Sequence, residues 1–386
     1  MTLQHLKEAA REIAPRLVAI RRELHQHPEL SMEEYETTRR IRGWLEEAGL
    51  KLLDLGLPTG VLAEVEGETP GPTVALRADI DALPVTEETG LPYASLVPGK
   101  MHACGHDFHT AAMIGAAMLL QQNKGTLRGR VRMIFQPAEE TASGARAVIE
   151  AGALDGVDAI LGMHNKPELP VGTVGIREGA LMASVDRFAI RISGKGGHGA
   201  IPEAAIDPIV AASSIVMALQ TVVSRNLSPL DNAVVSVCRF QAGSTWNVIP
   251  DSAELEGTVR TFQAETRKKI SERIRELAEN IASGYGASAE LSWTAGLPAV
   301  NNDPAMAKLM KRAAEELGLT VVEAKPTTGG EDFSLYQERV PGCFIWMGTG
   351  GTEEWHHPRF TVNEDALPVS AALFAHAARL ALDTLS

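Results

Sequence analysis

"PTVALRADID", residues 72–81, is an apolar run that closes on two acids, Asp79 and Asp81. Such a run reads as a buried strand. In a parallel sheet covered by helices, ligands bind at the carboxyl ends of the strands. The fold therefore turns on whether other strands end in reactive residues. "GRVRMIFQPAEE" (129–140) is a buried strand that ends in Glu139 and Glu140. "GVDAILGMHN" (156–165) ends in a histidine, His164. "FIWMGTGG" (344–351) is followed by "EWHHPRF" (354–360), which carries His356 and His357. Helical patterns lie between these strands, among them "HTAAMIGAAMLLQQN", whose small residues suit close packing. Alternation of strand and helix predicts a parallel sheet covered by helices, an α/β fold.

The pattern changes near residue 184. "DRFAIRISGKG" reads as a strand, "DPIVAASSIVMALQTVV" as a helix, and "NAVVSVCRFQAG" and "SAELEGTVRTF" as two strands. A long amphipathic helix, "AETRKKISERIRELAENIASGYG", and a last strand, "SAELSWTAG", complete the order β-α-β-β-α-β. That order is ferredoxin-like. At 386 residues the chain exceeds one ordinary core. The expected organisation is a discontinuous domain, 1–183 and 297–386, interrupted by a second domain, 184–296.

Composition narrows the function. There are 36 Lys and Arg against 49 Asp and Glu, a formal charge of -13, with no basic run suited to nucleic acid. No apolar run reaches the ~18 residues of a membrane span, and the charged opening residues do not read as a signal peptide. Three widely spaced cysteines, Cys104, Cys238 and Cys343, argue for a reducing compartment and predict a cytoplasmic protein.

"MHACGHDFHT" (101–110) crowds His102, Cys104, His106, Asp107 and His109 into ten residues. Cys104 and His106 are spaced so that both can reach one ion from a turn, and thiolate with imidazole suits Zn, Mn, Co or Ni. Alone, the stretch also reads as a polar loop with a buried free cysteine, or as a nucleophile with His102 or His106 as base. Glu139 and Glu140 alone read as a helix N-terminal pair, and His164 as a core histidine. Together, Cys104, His106, Glu140, His164 and one of the two HHP histidines supply enough ligands for two metal ions. Glu139 is then left free as a base, the pattern of a two-metal hydrolase.

These residues, with "RRELHQHPELSMEE", "RADIDALPV", "GKGGHGAIP", "NVIPDSAELEGTVR" and "GGEDFS", resemble the zinc-peptidase-like M20 superfamily. The resemblance runs nearly end to end and is greatest to the amidohydrolases that cleave hippurate, N-acyl amino acids and auxin conjugates. It implies a zinc-peptidase-like catalytic domain with an inserted lid and dimerisation domain. It also implies Cys104, His106, Glu140, His164 and His356 as ligands of two divalent transition metal ions, with Pro358 choosing His356 over His357. Glu139 matches the catalytic base. Asp81 matches an acid that orients a ligand, and Asp79 stands where the wider superfamily has a histidine ligand. His198 resembles an oxyanion-stabilising residue supplied by the partner subunit of a homodimer. Asn247 resembles a substrate contact, and Arg260 a residue that holds a carboxylate. The expected reaction is metal-dependent hydrolysis of an N-acyl amino acid to a carboxylic acid and a free amino acid. The alternatives are a dipeptidase, an N-acetyl-diaminopimelate-type deacetylase, and a metal-binding protein without activity.

Overall fold

The computed structural model describes residues 2–386. It contains two compact units. The larger comprises the residues up to Leu181, Asn301–Lys325 and Glu331–Ser386. The smaller comprises Met182–Val300 and Pro326–Gly330.

The larger unit is built on an eight-stranded sheet. Its four central strands, in the order Arg128–Gln136, Thr69–Asp79, Ala159–Lys166 and Gly342–Gly348, are parallel. The flanking strands correct the expectation of a parallel sheet. Val61–Glu66 runs antiparallel to Arg128–Gln136, and Thr173–Ile176 antiparallel to Gly342–Gly348. The reason is loop length. The links at 67–68 and 167–172 are far shorter than the roughly dozen residues a parallel crossover needs.

Side-chain alternation gives the central sheet two different faces. Val74, Leu76, Ala78, Leu161, Met163, Cys343, Ile345 and Met347 enter the main core. There they meet the helices Leu3–Gln26, His106–Gln122 and Ala366–Leu385. His106–Gln122 is buried almost all round, which its alanines and glycine allow. The alternate positions on the strands, Arg77, Asp79, Gly162, His164, Phe344 and Trp346, point the other way. A Cβ at Gly162 would lie 2.7 Å from Phe333 and 2.9 Å from Phe344, so only glycine fits there.

The smaller unit has the antiparallel strand order Ala233–Ala242, Ser252–Thr261, Asp186–Ser193, Ser288–Ala295. Two helices, Pro208–Asn226 and Ala264–Gly284, complete the βαββαβ order. Phe188, Ile190, Leu255 and Val259 from the sheet meet Ile215, Leu219, Ile270 and Ile274 from the helices. The unit extends past 184–296 at both ends and also takes residues 326–330. The Thr327 carbonyl accepts the Ala183 amide at 3.1 Å, a pairing with no sequence signal.

Pro208–Asn226 is long and apolar enough to cross a membrane by length and composition. Reading for uninterrupted apolar runs passes over it because Ser213, Ser214, Gln220 and Thr221 divide it. One stripe, Ala211, Ala212, Ile215, Leu219 and Val222, packs into the core, while Ile209, Val210 and Met217 are exposed.

At Gly257 an added Cβ would lie 2.2 Å from the Ser236 carbonyl and 2.3 Å from Phe188. Gly257→Ala is expected to destabilise the smaller unit by about 1–3 kcal/mol. Thermal unfolding of the purified variant checks this, and an unchanged transition would contradict the packing described.

Candidate metal centre

The carboxyl ends of the central strands gather six acids and four histidines within a few ångströms. Thr69–Asp79 delivers Asp79 and then Asp81. Arg128–Gln136 delivers the Glu139–Glu140 turn, and Ala159–Lys166 carries His164. The turn 102–105 brings Cys104 just before His106–Gln122 begins. Gly105 there has φ +84° and lies against Asn165, where a Cβ would approach Nδ2 to 2.5 Å. His106 and His109, one helical turn apart, fall on one side of that helix.

The hydrogen bonds fix how each ring points. His106 Nδ1 bonds Asp81 Oδ1 at 3.1 Å, so its Nε2 is directed away from Asp81. That Nε2 is buried without a partner, 3.8 Å from Glu140 Oε1, which is also buried and unpartnered. His164 Nδ1 donates to the Asn165 carbonyl at 2.9 Å, leaving Nε2 3.3 Å from Cys104 Sγ. His356 Nε2 lies 3.6 Å from Glu140 Oε2. Donor atoms of Cys104, His106 and His164 lie within 4.8 Å of one another, as do those of Cys104, Glu140 and His356. His106, Glu139 and Glu140 form a third such group. His357 joins none of these and lies near Glu353.

His109 is engaged at both nitrogens. Its Nδ1 bonds Asp79 Oδ1 at 2.6 Å, and its Nε2 accepts the Asn165 amide at 2.9 Å. It therefore orients Asp79 rather than offering a lone pair. Asp81 Oδ2 accepts the Ser31 hydroxyl and the Glu140 amide, so Asp81 fixes both His106 and the Glu140 backbone.

Behind the acids lies Arg77, fully buried. It donates to Asp79, Glu331, Asp332 and Gln136 at 2.6–2.9 Å. Glu331 and Asp332 each bring a carboxylate oxygen close to Glu139. Neither these contacts nor Arg77 were read from the sequence. The signal available was a lone arginine inside a buried strand.

Electrostatics describe a site short of positive charge. Burial, then Glu331, Asp332 and Glu140, hold the Glu139 carboxyl well above its ordinary range. Burial raises Glu140 as well. Burial, then Glu140, push the Cys104 thiol up. Burial and His109 hold His164 well below its usual value, so its ring is neutral. Burial opposes charge on His106, but Asp79 and Asp81 outweigh it and favour the imidazolium. A divalent cation would replace that proton and relieve the acids. Two unpartnered buried donor atoms, a thiol and several imidazoles suit a soft divalent ion.

The sequence from residue 75 to 380 matches the profile of peptidase family M20/M25/M40. The chain belongs to this family. It is 60% identical over 371 residues to an N-acetylcysteine deacetylase of Bacillus subtilis, covering 96% of this chain and 98% of that one. It is 42% identical to an IAA-amino acid hydrolase of Arabidopsis thaliana, covering 93% and 84%. A crystal structure of a dinuclear metal-binding M20 peptidase from Bacillus subtilis superposes with a TM-score of 0.90 at 56% identity, covering 97% and 99%. The protein is a metal-dependent amidohydrolase of N-acyl amino acids that uses two divalent metal ions.

The remaining sequence candidates lie in the smaller unit. His198, exposed, is on the short strand Gly197–His198, paired with Val248–Ile249. Its Nδ1 accepts the Ala200 amide at 3.1 Å, which leaves Nε2–H as a donor. The Asn247 carbonyl accepts the Gly199 amide at 2.9 Å, so Asn247 neighbours His198. Arg260 is half-buried on Ser252–Thr261, and burial lowers its pKa.

A second buried network lies behind the helix His106–Gln122. Asp107 Oδ2 accepts from Arg21 at 3.0 Å and bonds His25 Nδ1 at 2.9 Å, and His25 Nε2 lies 3.2 Å from Glu87. Burial opposes charge on His25, but Asp107 and then Glu87 raise its pKa above the ordinary 6.5. Its contribution to stability is complete below pH 6.5 and is lost as pH rises through the higher folded value. His25→Gln is expected to flatten this alkaline loss in chelated protein. Urea unfolding between about pH 6 and about pH 9 measures it, and parallel curves for the two proteins would refute the assignment.

Proposed function

We propose that Cys104, His106, Glu140, His164 and His356 hold the two metal ions and that Glu139 is the general base. The observation that carries this reading is the pair of facing, unpartnered donors, His106 Nε2 and Glu140 Oε1, beside a glutamate, Glu139, whose carboxyl favours a proton. The donor set suits Zn, Mn, Co or Ni. When bound, two such ions supply Lewis acidity toward a water and the scissile carbonyl. Glu139 takes the proton of the attacking water and passes it to the leaving amine. Asp81 holds His106 and the Glu140 backbone in position. His198 donates Nε2–H to the developing oxyanion. Asn247 and Arg260 bind the substrate, Arg260 at its carboxylate.

The preferred substrate is an N-acetyl amino acid, N-acetylcysteine first, in line with the 60% identical relative. The protein acts in the cytoplasm, in keeping with three unpaired cysteines. It works as a homodimer formed through the smaller unit, with His198 serving the partner's site. Two features support the dimer. Ala233–Ala242 is an edge strand with Val234 and Phe240 exposed, and Ile209, Val210 and Met217 form an uncovered apolar strip.

A panel of N-acetyl, N-benzoyl and N-indoleacetyl amino acids and dipeptides, assayed on apoprotein with metals added back, tests the substrate. Turnover of dipeptides alone would refute it. Glu139→Gln should retain metal and lose activity about 100-fold or more. Near-normal turnover of that variant with metal bound would remove Glu139 as base.

Mixing His198→Ala with Glu139→Gln subunits should restore one working site per heterodimer. A mixture that exchanges subunits and stays inactive would show that His198 does not serve its partner.

A further inference from the structure

His356 sits in an unusual backbone conformation, φ +68°, on an exposed loop. Histidine is among the side chains that tolerate this region, but the conformation persists only where neighbours impose it. Two contacts do so. The His356 amide donates to the Ala103 carbonyl at 2.8 Å. The preceding residue, Trp355, donates its Nε1–H to Asn165 Oδ1 at 3.2 Å.

Asn165 is fully buried and joins three ligand-bearing stretches. Its Nδ2 donates to the Cys104 carbonyl at 2.6 Å and lies 3.0 Å from His109 Nε2. Its side chain thus ties the loop of His356 to the turn of Cys104. The Trp355 ring fills the space beside the site, with its centroid 4.6 Å from that of His164 and Lys166 Nζ 4.3 Å from it. Trp355 offers no lone pair to a metal. Its contacts serve to place its neighbour.

We propose that Trp355 and Asn165 form a clamp that positions His356, so that the indole N–H of Trp355 sets the affinity of one of the two metal ions. This rests on His356 being a ligand. Outer hydrogen-bond partners of metal ligands change affinity by about 10–100-fold. Here the partner acts through the backbone of the ligand's own loop.

The variant is Trp355→Phe, which keeps an aromatic ring beside His164 and Lys166 and removes the N–H together with part of the indole. Zinc is titrated into chelated protein under a competing chelator. Wild type, Trp355→Phe, His356→Ala and the double variant are compared, with thermal unfolding of each chelated protein as the folding control. Trp355→Phe is expected to weaken one zinc equivalent about tenfold and leave the other unchanged. In the His356→Ala background it should change nothing further, because a clamp that acts through His356 has nothing left to hold. Loss of affinity at both equivalents, or an equal additional loss in the double variant, would overturn the clamp. If His356→Ala alone weakens neither equivalent, the ligand assignment fails. If it weakens one and Trp355→Phe does not, only the clamp fails. Should Trp355→Phe not fold, Trp355→Leu, which also lacks the N–H and leaves Asn165 in place, is held to the same outcomes.

Discussion

One buried guanidinium holds the site's architecture together. Arg77 is buried, and its donors are taken up by Asp79, Glu331, Asp332 and Gln136. Removing one partner of a buried ion pair costs about 3–5 kcal/mol, because the other charge is left uncompensated. Here three acids depend on the same cation. Gln136 extends the arrangement: it receives Arg77 and donates to Asp332 and to the Pro137 carbonyl. The turn that presents Glu139 and Glu140 is thereby anchored to the central strand. Gly144, where a Cβ would lie 1.6 Å from the Pro137 carbonyl, closes the same turn from the other side.

Arg77 balances the acids behind the site but not those in front of it. Among the described residues, the ion pairs of Asp81 and Glu140 are with His106 and His356, and no arginine or lysine pairs with them or with Glu139. The chain tolerates this excess because its central sheet and three long helices bury a large apolar core. Local electrostatic cost is thus offset elsewhere, and the site retains a strong preference for positive charge.

Much of this was legible in the sequence for one reason: apolar strands that end in acids or histidines announce a rim. Asp79, Glu139, Glu140 and His164 followed from it, and Cys104 and His106 from their spacing. The βαββαβ order was equally plain, because its strands alternate and its long second helix is amphipathic. What was missed lacked periodicity or lay far away in the chain. Residues 326–330 join the smaller unit through backbone pairing, which leaves no pattern. Arg77 meets Glu331 and Asp332 across more than 250 residues. His109 looks like another ligand until its two nitrogens are seen to be engaged. Asn165 and Trp355 are ordinary residue types whose importance lies in what their neighbours do. His25 lies within a buried ionic network that no periodicity announces.

The spread of the clustered donor residues Cys104, His106, Glu140, His164 and His356 along the chain bears on how the site forms. These residues run from Cys104 to His356, and the helix Ala366–Leu385, which packs against His106–Gln122, follows them. Most of the smaller unit is one continuous stretch, Met182–Val300, so it can fold while synthesis continues. The larger unit has to wait. During translation its acids and thiol emerge long before His356, and the cluster can close only once His356 has been added. The cluster is therefore assembled late relative to the synthesis of its first member, Cys104.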